Sequence, residues 1–436
     1  MKIRLLVGGF LSAILLATHV TASDWPQFRG PTGNGIAPAD AKPPTSWSVG
    51  KNLCWKVGLP GPGSSSPIVS GERVFVTCYS GYGDGSANAS IEKLERHLVC
   101  VERGSGKILW DKSVPAEMPE DRYNGFITEH GYASNTPVTD GERVYVFFGK
   151  TGVLAFDFAG KQLWKTNVGK QSSNRKWGSA ASLVLYKNTV IVNAAEESRS
   201  IRALDKLTGK EVWKAESDSL ELCYAAPVLV EGGGRFDLVI AVPGEMWGLN
   251  PDTGKLRWFA GIAIGGNISP SVVADNGILI ATGGFPEQAT VAVRGGGKGD
   301  VTKTHVLWTK PTASYVPTPV ALGGFVYFVT DSGAVVCLET KTGIPVFQDR
   351  LPNFTSAGRG GKPVYASPIL ANGHLYAVTR NKGTFVLKAA RYFAVVAQNL
   401  LDGDTSGFNS TPAISGNQLF LRSNQSLYCV MTRDGG

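Results

Sequence analysis

The stretch "DKLTGKEVW", residues 205–213, decides the fold. It reads as a hairpin: an acidic residue, a turn containing Gly, a Lys, and a second strand ending in Trp. Gly supplies the positive φ that a tight turn requires. The acidic side chain can accept hydrogen bonds from turn amides. The Trp can bury a large apolar area while its N–H finds an acceptor. The hairpin recurs as "ERGSGKILW" (102–110), "DFAGKQLW" (157–164) and "NPDTGKLRW" (250–258). "ETKTGIPVF" (339–347) ends in Phe, and "HVLW" (305–308) and "NLCW" (52–55) keep only the final strand. Six of the ten tryptophans, Trp55, Trp110, Trp164, Trp213, Trp258 and Trp308, hold this position. A residue fixed by a repeat serves packing between repeats, so these six read as structural.

A second phrase accompanies the first: small residue, Pro, apolar pair, Gly turn, then alternating apolar residues. "SSPIVSGERVFV" (65–76), "NTPVTDGERVYV" (135–146), "ASPILANGHLYAV" (366–378) and "STPAISGNQLFL" (410–421) are variants. With weaker copies, the anchor positions are Pro67, Pro137, Leu183, Pro227, Pro270, Pro319, Pro368 and Pro412. Successive anchors lie 43 to 49 residues apart, except for a first step of 70 that implies insertions at 79–97 and 115–131. A period near 45 with four short strands per unit predicts an all-β, eight-bladed propeller of four-stranded antiparallel blades. Blade eight has only three strands at the C-terminus. The missing outer strand is expected from "NLCWKVG" (52–58), closing the ring and leaving no free edge. The expected organisation is a leader at 1–23, a strap at 24–51 and one propeller over 52–436.

The leader has Lys2 and Arg4, an apolar run at 5–17 and small residues before a cleavage site after Ala22 or Ser23. The run is short for a membrane span, and no cysteine precedes Cys54. The expectation is therefore a periplasmic or extracellular protein without a lipid anchor or membrane span. The formal charge is +8, or +6 without Lys2 and Arg4, and the basic residues are scattered. No basic run suggests nucleic-acid binding, and a monomer is expected.

Of six cysteines, none forms a CxxC pair or a Cys/His cluster at metal spacing. Cys100, Cys337 and Cys429 share one place in the third strand, where a small buried apolar residue is a sufficient reading. If the hairpin pairs Glu102 with Lys107, Cys100 faces Leu109, and by transfer Cys429 faces Cys54. A disulfide there would lock the closing strand.

The Pro-led first strand and the "DxxTGKxxW" hairpin resemble the PQQ-type repeat, over essentially the whole chain after the leader. Such repeats build the quinoprotein alcohol dehydrogenases and the BamB-type propellers. "DWPQFRGPTGNG" (24–35), "HGYASNTPVTDGERVYVFFGKTGV" (130–153), "WGSAASLVLYKNTVIVNAAEESRSIRALDKLTGKEVW" (177–213) and "GGGKGDVTKTHVLW" (295–308) are also similar to secreted PQQ-like propeller proteins of planctomycete-type bacteria. The quinoprotein resemblance would imply PQQ with calcium, an adjacent Cys–Cys pair, a Glu/Asn/Asp cation site and an Asp base. This chain has no adjacent cysteines, no CxxCH and is considerably shorter. "GGGKGDVT" (295–302) lacks the spacing of a phosphate loop. The expectation is a non-catalytic binding or assembly scaffold of the envelope that engages a protein or glycan, without cofactor or metal. The alternative is a PQQ-dependent dehydrogenase or a quinone-binding relic of one.

Residues just before the anchors should ring one mouth of the central funnel: Tyr132, Trp177, Tyr224, Asn267, Tyr315, Tyr365 and Asn409, with Glu129, His130 and Arg175 close by in sequence. Aromatic faces with few charges suit a sugar, a peptide or a flat ligand; packing of the narrow end is the plainer reading. The strap, with Trp25, Phe28 and Arg29, must lead the chain to the outer edge of blade eight.

Overall fold

The computed structural model describes residues 24–232, 234–354 and 362–432; the expected leader lies outside the described residues. Eight sheets form the propeller, each built on four antiparallel strands; in seven of them the strands follow chain order, the eighth takes its outer strand from the N-terminal side, and blade 4 carries an added fifth strand. Blade 1 consists of Ile68–Ser70, Arg73–Ser80, Glu95–Glu102 and Ile108–Pro115. The ring closes as the sequence implies: Leu53–Gly58 is the outer strand of blade 8, antiparallel to Ser426–Met431. The core lies between blades. Tyr145, Phe147 and Trp164 of blade 2, for example, pack with Leu183, Val190 and Val192 of blade 3.

Every outer hairpin carries a β-bulge at the same place. In blade 3, Ala203 pairs with Trp213 and Leu204 with Glu211, so Val212 is the extra residue. In blade 1, Cys100 pairs with Trp110, not Leu109. In blade 8, Cys429 pairs with Trp55, and Cys54 is the extra residue. The expected Cys54–Cys429 pairing was therefore displaced by one position, because a plain hairpin count omits the bulge. Both cysteines are free thiols in the structure, yet they remain neighbours: burial first, then the adjacent Cys54, raises the pKa of Cys429.

The bulge aims each Trp at the next blade. Trp164 Nε1 donates to the Lys206 carbonyl at 3.1 Å, Trp213 to Pro251 at 3.0 Å and Trp308 to Thr340 at 2.9 Å. Trp55 and Trp110 do the same to Arg103 and Phe158. The turn Gly of the receiving blade lies under the indole. A Cβ at Gly209 would sit 2.6 Å from Trp164, and one at Gly254 2.4 Å from Trp213. The motif thus works in pairs, Trp from one blade and Gly from the next. Trp258 is the exception, and the reason is visible. Blade 5 replaces its turn with the Gly-rich excursion, whose Gly299–Asp300 pairs in parallel with the outer strand of blade 4. Trp258 donates instead to Asp237 of its own blade at 2.8 Å.

One anchor was misplaced. The first strand of blade 5 begins at Val273, so its anchor is Val272 and not Pro270. The backbone confirms the offset: Ser271 N bonds Thr318 Oγ1 between blades 5 and 6 as Ser66 N bonds Thr136 Oγ1 between blades 1 and 2.

Candidate functional site

Loops entering the first strands converge on one face and surround a funnel of ≈190 Å³. Its wall repeats a small chemistry. The residue before each anchor is Ser66, Thr136, Ser182, Ala226, Ser271, Thr318, Ser367 or Thr411, and all of them line the funnel. These hydroxyls also stitch blades together: the Thr136, Ser367 and Thr411 hydroxyls accept the amides of Ser66, Thr318 and Ser367 at 2.9 Å each. The sequence shows these residues as the "small residue" of the anchor phrase; the hydroxyl that seven of the eight carry, all but Ala226, is the signal in it.

Above this ring stand five of the seven expected mouth residues: Trp177, Tyr224, Tyr315, Tyr365 and Asn409. Trp177 and Tyr224 stack on each other, centroids 5.9 Å apart. Cations lie over three of the rings: Arg175 over Trp177 at 5.6 Å, Lys362 over Tyr315 at 5.6 Å and Arg380 over Tyr365 at 5.2 Å. Lys362 also pairs with Asp331, and Arg380 with Glu129 across the mouth. The carbonyl of Glu129 accepts from Asn409 Nδ2 at 2.9 Å.

Tyr132 and Asn267 do not line the funnel. Tyr132 lies flat against Tyr123 (4.1 Å, 7°) and its hydroxyl donates to the Asp121 carbonyl at 2.8 Å. It belongs to a satellite core with Tyr79, Ile91, Leu94 and Ile127, by which the two blade-one insertions hold each other. Asn267 was selected against the wrong anchor; correct alignment puts Ser269 at the wall, while Asn267 Nδ2 supports the Tyr315 hydroxyl at 3.1 Å.

His130 lines the funnel and is partly buried. Nε2 faces the Trp177 carbonyl at 2.9 Å, which requires the N–H there, so Nδ1 accepts from Ser134 Oγ at 2.7 Å. Burial lowers its pKa to about 4, so the ring is neutral at neutral pH.

The loop carrying Arg175 and Trp177 rests on buried acids. Glu196 and Glu197 lie on the one-turn helix Ala195–Ser198. Ser173 N donates to Glu196 Oε2 at 3.1 Å and Gln171 N to the Glu197 carbonyl at 2.9 Å. Beside them are the ion pairs Arg96–Glu120 at 2.6 Å and Lys150–Asp121 at 2.8 Å. Burial above all, with Glu196 adding repulsion, raises the Glu197 pKa to about 8. Nothing in the hydropathy pattern marked these acids. Among the described residues no three His, Cys, Asp or Glu side chains converge as a cation site.

The strap closes the far end of the funnel. Trp25 bridges to Val69 of blade 1 and is wholly buried. The Pro26 carbonyl takes the Thr139 amide of blade 2 at 2.9 Å, and Phe28 lines the funnel. Arg29 lies beneath, fully buried. Its guanidinium donates to the carbonyls of Thr318 (3.0 Å), Pro368 (3.1 Å), Pro319 (2.5 Å) and Asn34 (3.0 Å), with no carboxylate in contact among the described residues. Burial lowers its pKa to about 9. Ile36 then pairs with Leu370 of blade 7, and the chain proceeds toward the closing strand.

Eight blades, a dead-ended funnel lined by hydroxyls and aromatics, and a strap through the hub define a PQQ-type repeat propeller. The family described as outer membrane protein assembly factor BamB matches residues 94–349, more than half of the chain, and the chain belongs to that family. It is 25% identical over 232 residues to the outer membrane protein assembly factor BamB of Moranella endobia (strain PCIT); the match spans 51% of this chain and 58% of that relative. Among solved structures it is similar to BamB from Moraxella catarrhalis (TM-score 0.59, 12% identity, 88% of this chain and 98% of that one). It is equally similar to a europium-containing methanol dehydrogenase (TM-score 0.60, 11% identity, 94% and 98%). At these identities the structural likeness concerns the fold alone. No helix among the described residues is long and apolar enough to cross a membrane.

Proposed function

We propose that the protein is a non-catalytic binding or assembly scaffold of the cell envelope, recruiting a protein or glycan through the face that carries the funnel. The observation behind this reading is the funnel's composition. Among the described residues its wall is built from neutral hydroxyls, amides and aromatic rings, and the one carboxylate lining it, Glu129, is bound to Arg380. Such a surface orients a ligand by hydrogen bonds and stacking. Transfer of a hydride or proton would require a base with a suitable pKa at the wall, and His130 is too weak a base at neutral pH.

PQQ with calcium is a poor match for the residues present. A hard cation needs several oxygen ligands together, and the acids near the funnel are engaged with arginine, lysine or loop amides. The space of ≈190 Å³ is also below the usual range for a multi-ring cofactor, about 300–1,000 Å³.

The test is site-specific photocrosslinking of the full chain in envelope extracts. The crosslinker is placed at Tyr82, near the funnel face, or at Asp252, on the opposite hairpin turns. A discrete adduct from the Tyr82 position and none from Asp252 is expected. Adducts from Asp252 alone, or micromolar PQQ binding with calcium-dependent dye reduction, would overturn the reading.

A further inference from the structure

Resting on the reading of the funnel face as a recognition surface, we infer that the funnel takes one acidic sugar residue, a uronic acid at the end of a glycan. Three observations converge. First, the funnel is a dead end. Phe28 lines its floor, with Arg29 packed below, so the site admits a chain terminus and not a chain passing through. At ≈190 Å³ it is smaller than the pockets of about 300–1,000 Å³ that take drug-sized ligands, which suits a single sugar ring.

Second, the wall offers unused hydrogen-bonding capacity of both kinds. Ser271 Oγ and Asn409 Oδ1 are buried, line the funnel, and have no hydrogen-bond partner among the described residues. Buried polar atoms are nearly always paired, and a hydroxyl with an amide oxygen matches the mixed donors and acceptors of a polyol. Tyr224, Tyr315 and Tyr365 supply apolar ring surface beside them.

Third, the local charge is positive. Lys362 and Arg380 are balanced by Asp331 and Glu129. Arg175 is balanced by no carboxylate among the described residues; its guanidinium lies over the Trp177 ring. Arg29 adds a second cation whose partners are all carbonyls. Glu196, behind Tyr224, is engaged by the Ser173 amide. Arg175, exposed at the rim beside the lining residue Trp177, can meet a sugar carboxylate at the mouth in a charge-assisted pair.

Titration calorimetry on the whole protein tests this with D-glucuronate and a trigalacturonide against glucose, methyl glucuronate ester and a tetrapeptide with a free C-terminus. The acidic sugars are expected to bind about ten- to a hundredfold more tightly than the neutral sugar and the ester, the worth of one charge-assisted hydrogen bond. Arg175→Ala, at an exposed position, should abolish that preference while Asn409→Ala weakens both classes. Equal binding of the ester, preferential binding of the peptide, or no binding of either uronate would overturn the inference. Retention of the Tyr82 crosslink alongside any of those results would leave the scaffold reading standing and remove only the sugar.

Discussion

The pairing of Trp in one blade with Gly in the next can be tested by two substitutions with nearly the same backbone. Gly209 has φ +71° and Gly373 has φ +72°. An alanine at either position meets the left-handed penalty of about 1–2 kcal/mol. At Gly373 nothing lies within 4 Å of the added Cβ, so the cost should end there. At Gly209 the Cβ would fall 2.6 Å from Trp164 and 2.7 Å from Thr166 Oγ1. Both must move. That endangers the bonds from Trp164 Nε1 to Lys206 and from Thr166 Oγ1 to Gly209 (3.1 and 2.7 Å), at about 1 kcal/mol each. Overpacking adds roughly 1–3 kcal/mol. Gly209→Ala should therefore destabilise by about 3 kcal/mol more than Gly373→Ala. Urea unfolding of both variants, compared at equal m-value, reads this difference directly. Equal midpoints would refute the Trp–Gly lock and leave only the backbone conformation as the reason for glycine.

Three further outcomes are expected. Arg29→Met should lower stability by more than about 3 kcal/mol, because the three buried carbonyls of Thr318, Pro319 and Pro368 lose their donor at roughly 1–3 kcal/mol each; an unchanged melting temperature would remove the strap from the stabilising core. Raising the folded pKa of Glu197 to about 8 gives a contribution fully present below about pH 4.5 and lost as pH rises through 8. His130, lowered to about 4, contributes with the opposite slope only below about pH 6.5. Between pH 6.5 and 8 the wild type should thus lose about 2 kcal/mol through Glu197, and Glu197→Gln should flatten that fall in thermal melts. Finally, oxidation by glutathione disulfide is expected to join Cys54 to Cys429, seen as a loss of two hydrogens in intact mass, with Cys54→Ser lowering the melting temperature only of the oxidised sample.

Local chemistry made much of the fold legible. The turn Gly, the anchor phrase and the terminal Trp are each defined by residues close together in the chain, so repetition revealed the blades and the missing outer strand of blade 8. Errors arose where a residue's role depends on its neighbour across a sheet. The bulge displaced Cys54 from its expected partner, and a Pro two positions early displaced Asn267 from the wall. Tyr132 was drawn away by Tyr123 from an insertion that has no counterpart in other blades.

The sequence by itself determined the architecture, the ring closure and most of the funnel's aromatic mouth, because each repeat restates the same short-range instructions. Tertiary structure alone decided what the "DWPQFRGPTGNG" strap does. Arg29 reaches carbonyls of residues 318, 319 and 368, nearly 300 positions and more along the chain, and no local pattern encodes that destination. It likewise decided that Glu196 and Glu197 support the Trp177 loop, since their protonation and partners follow from burial, which only the assembled ring creates.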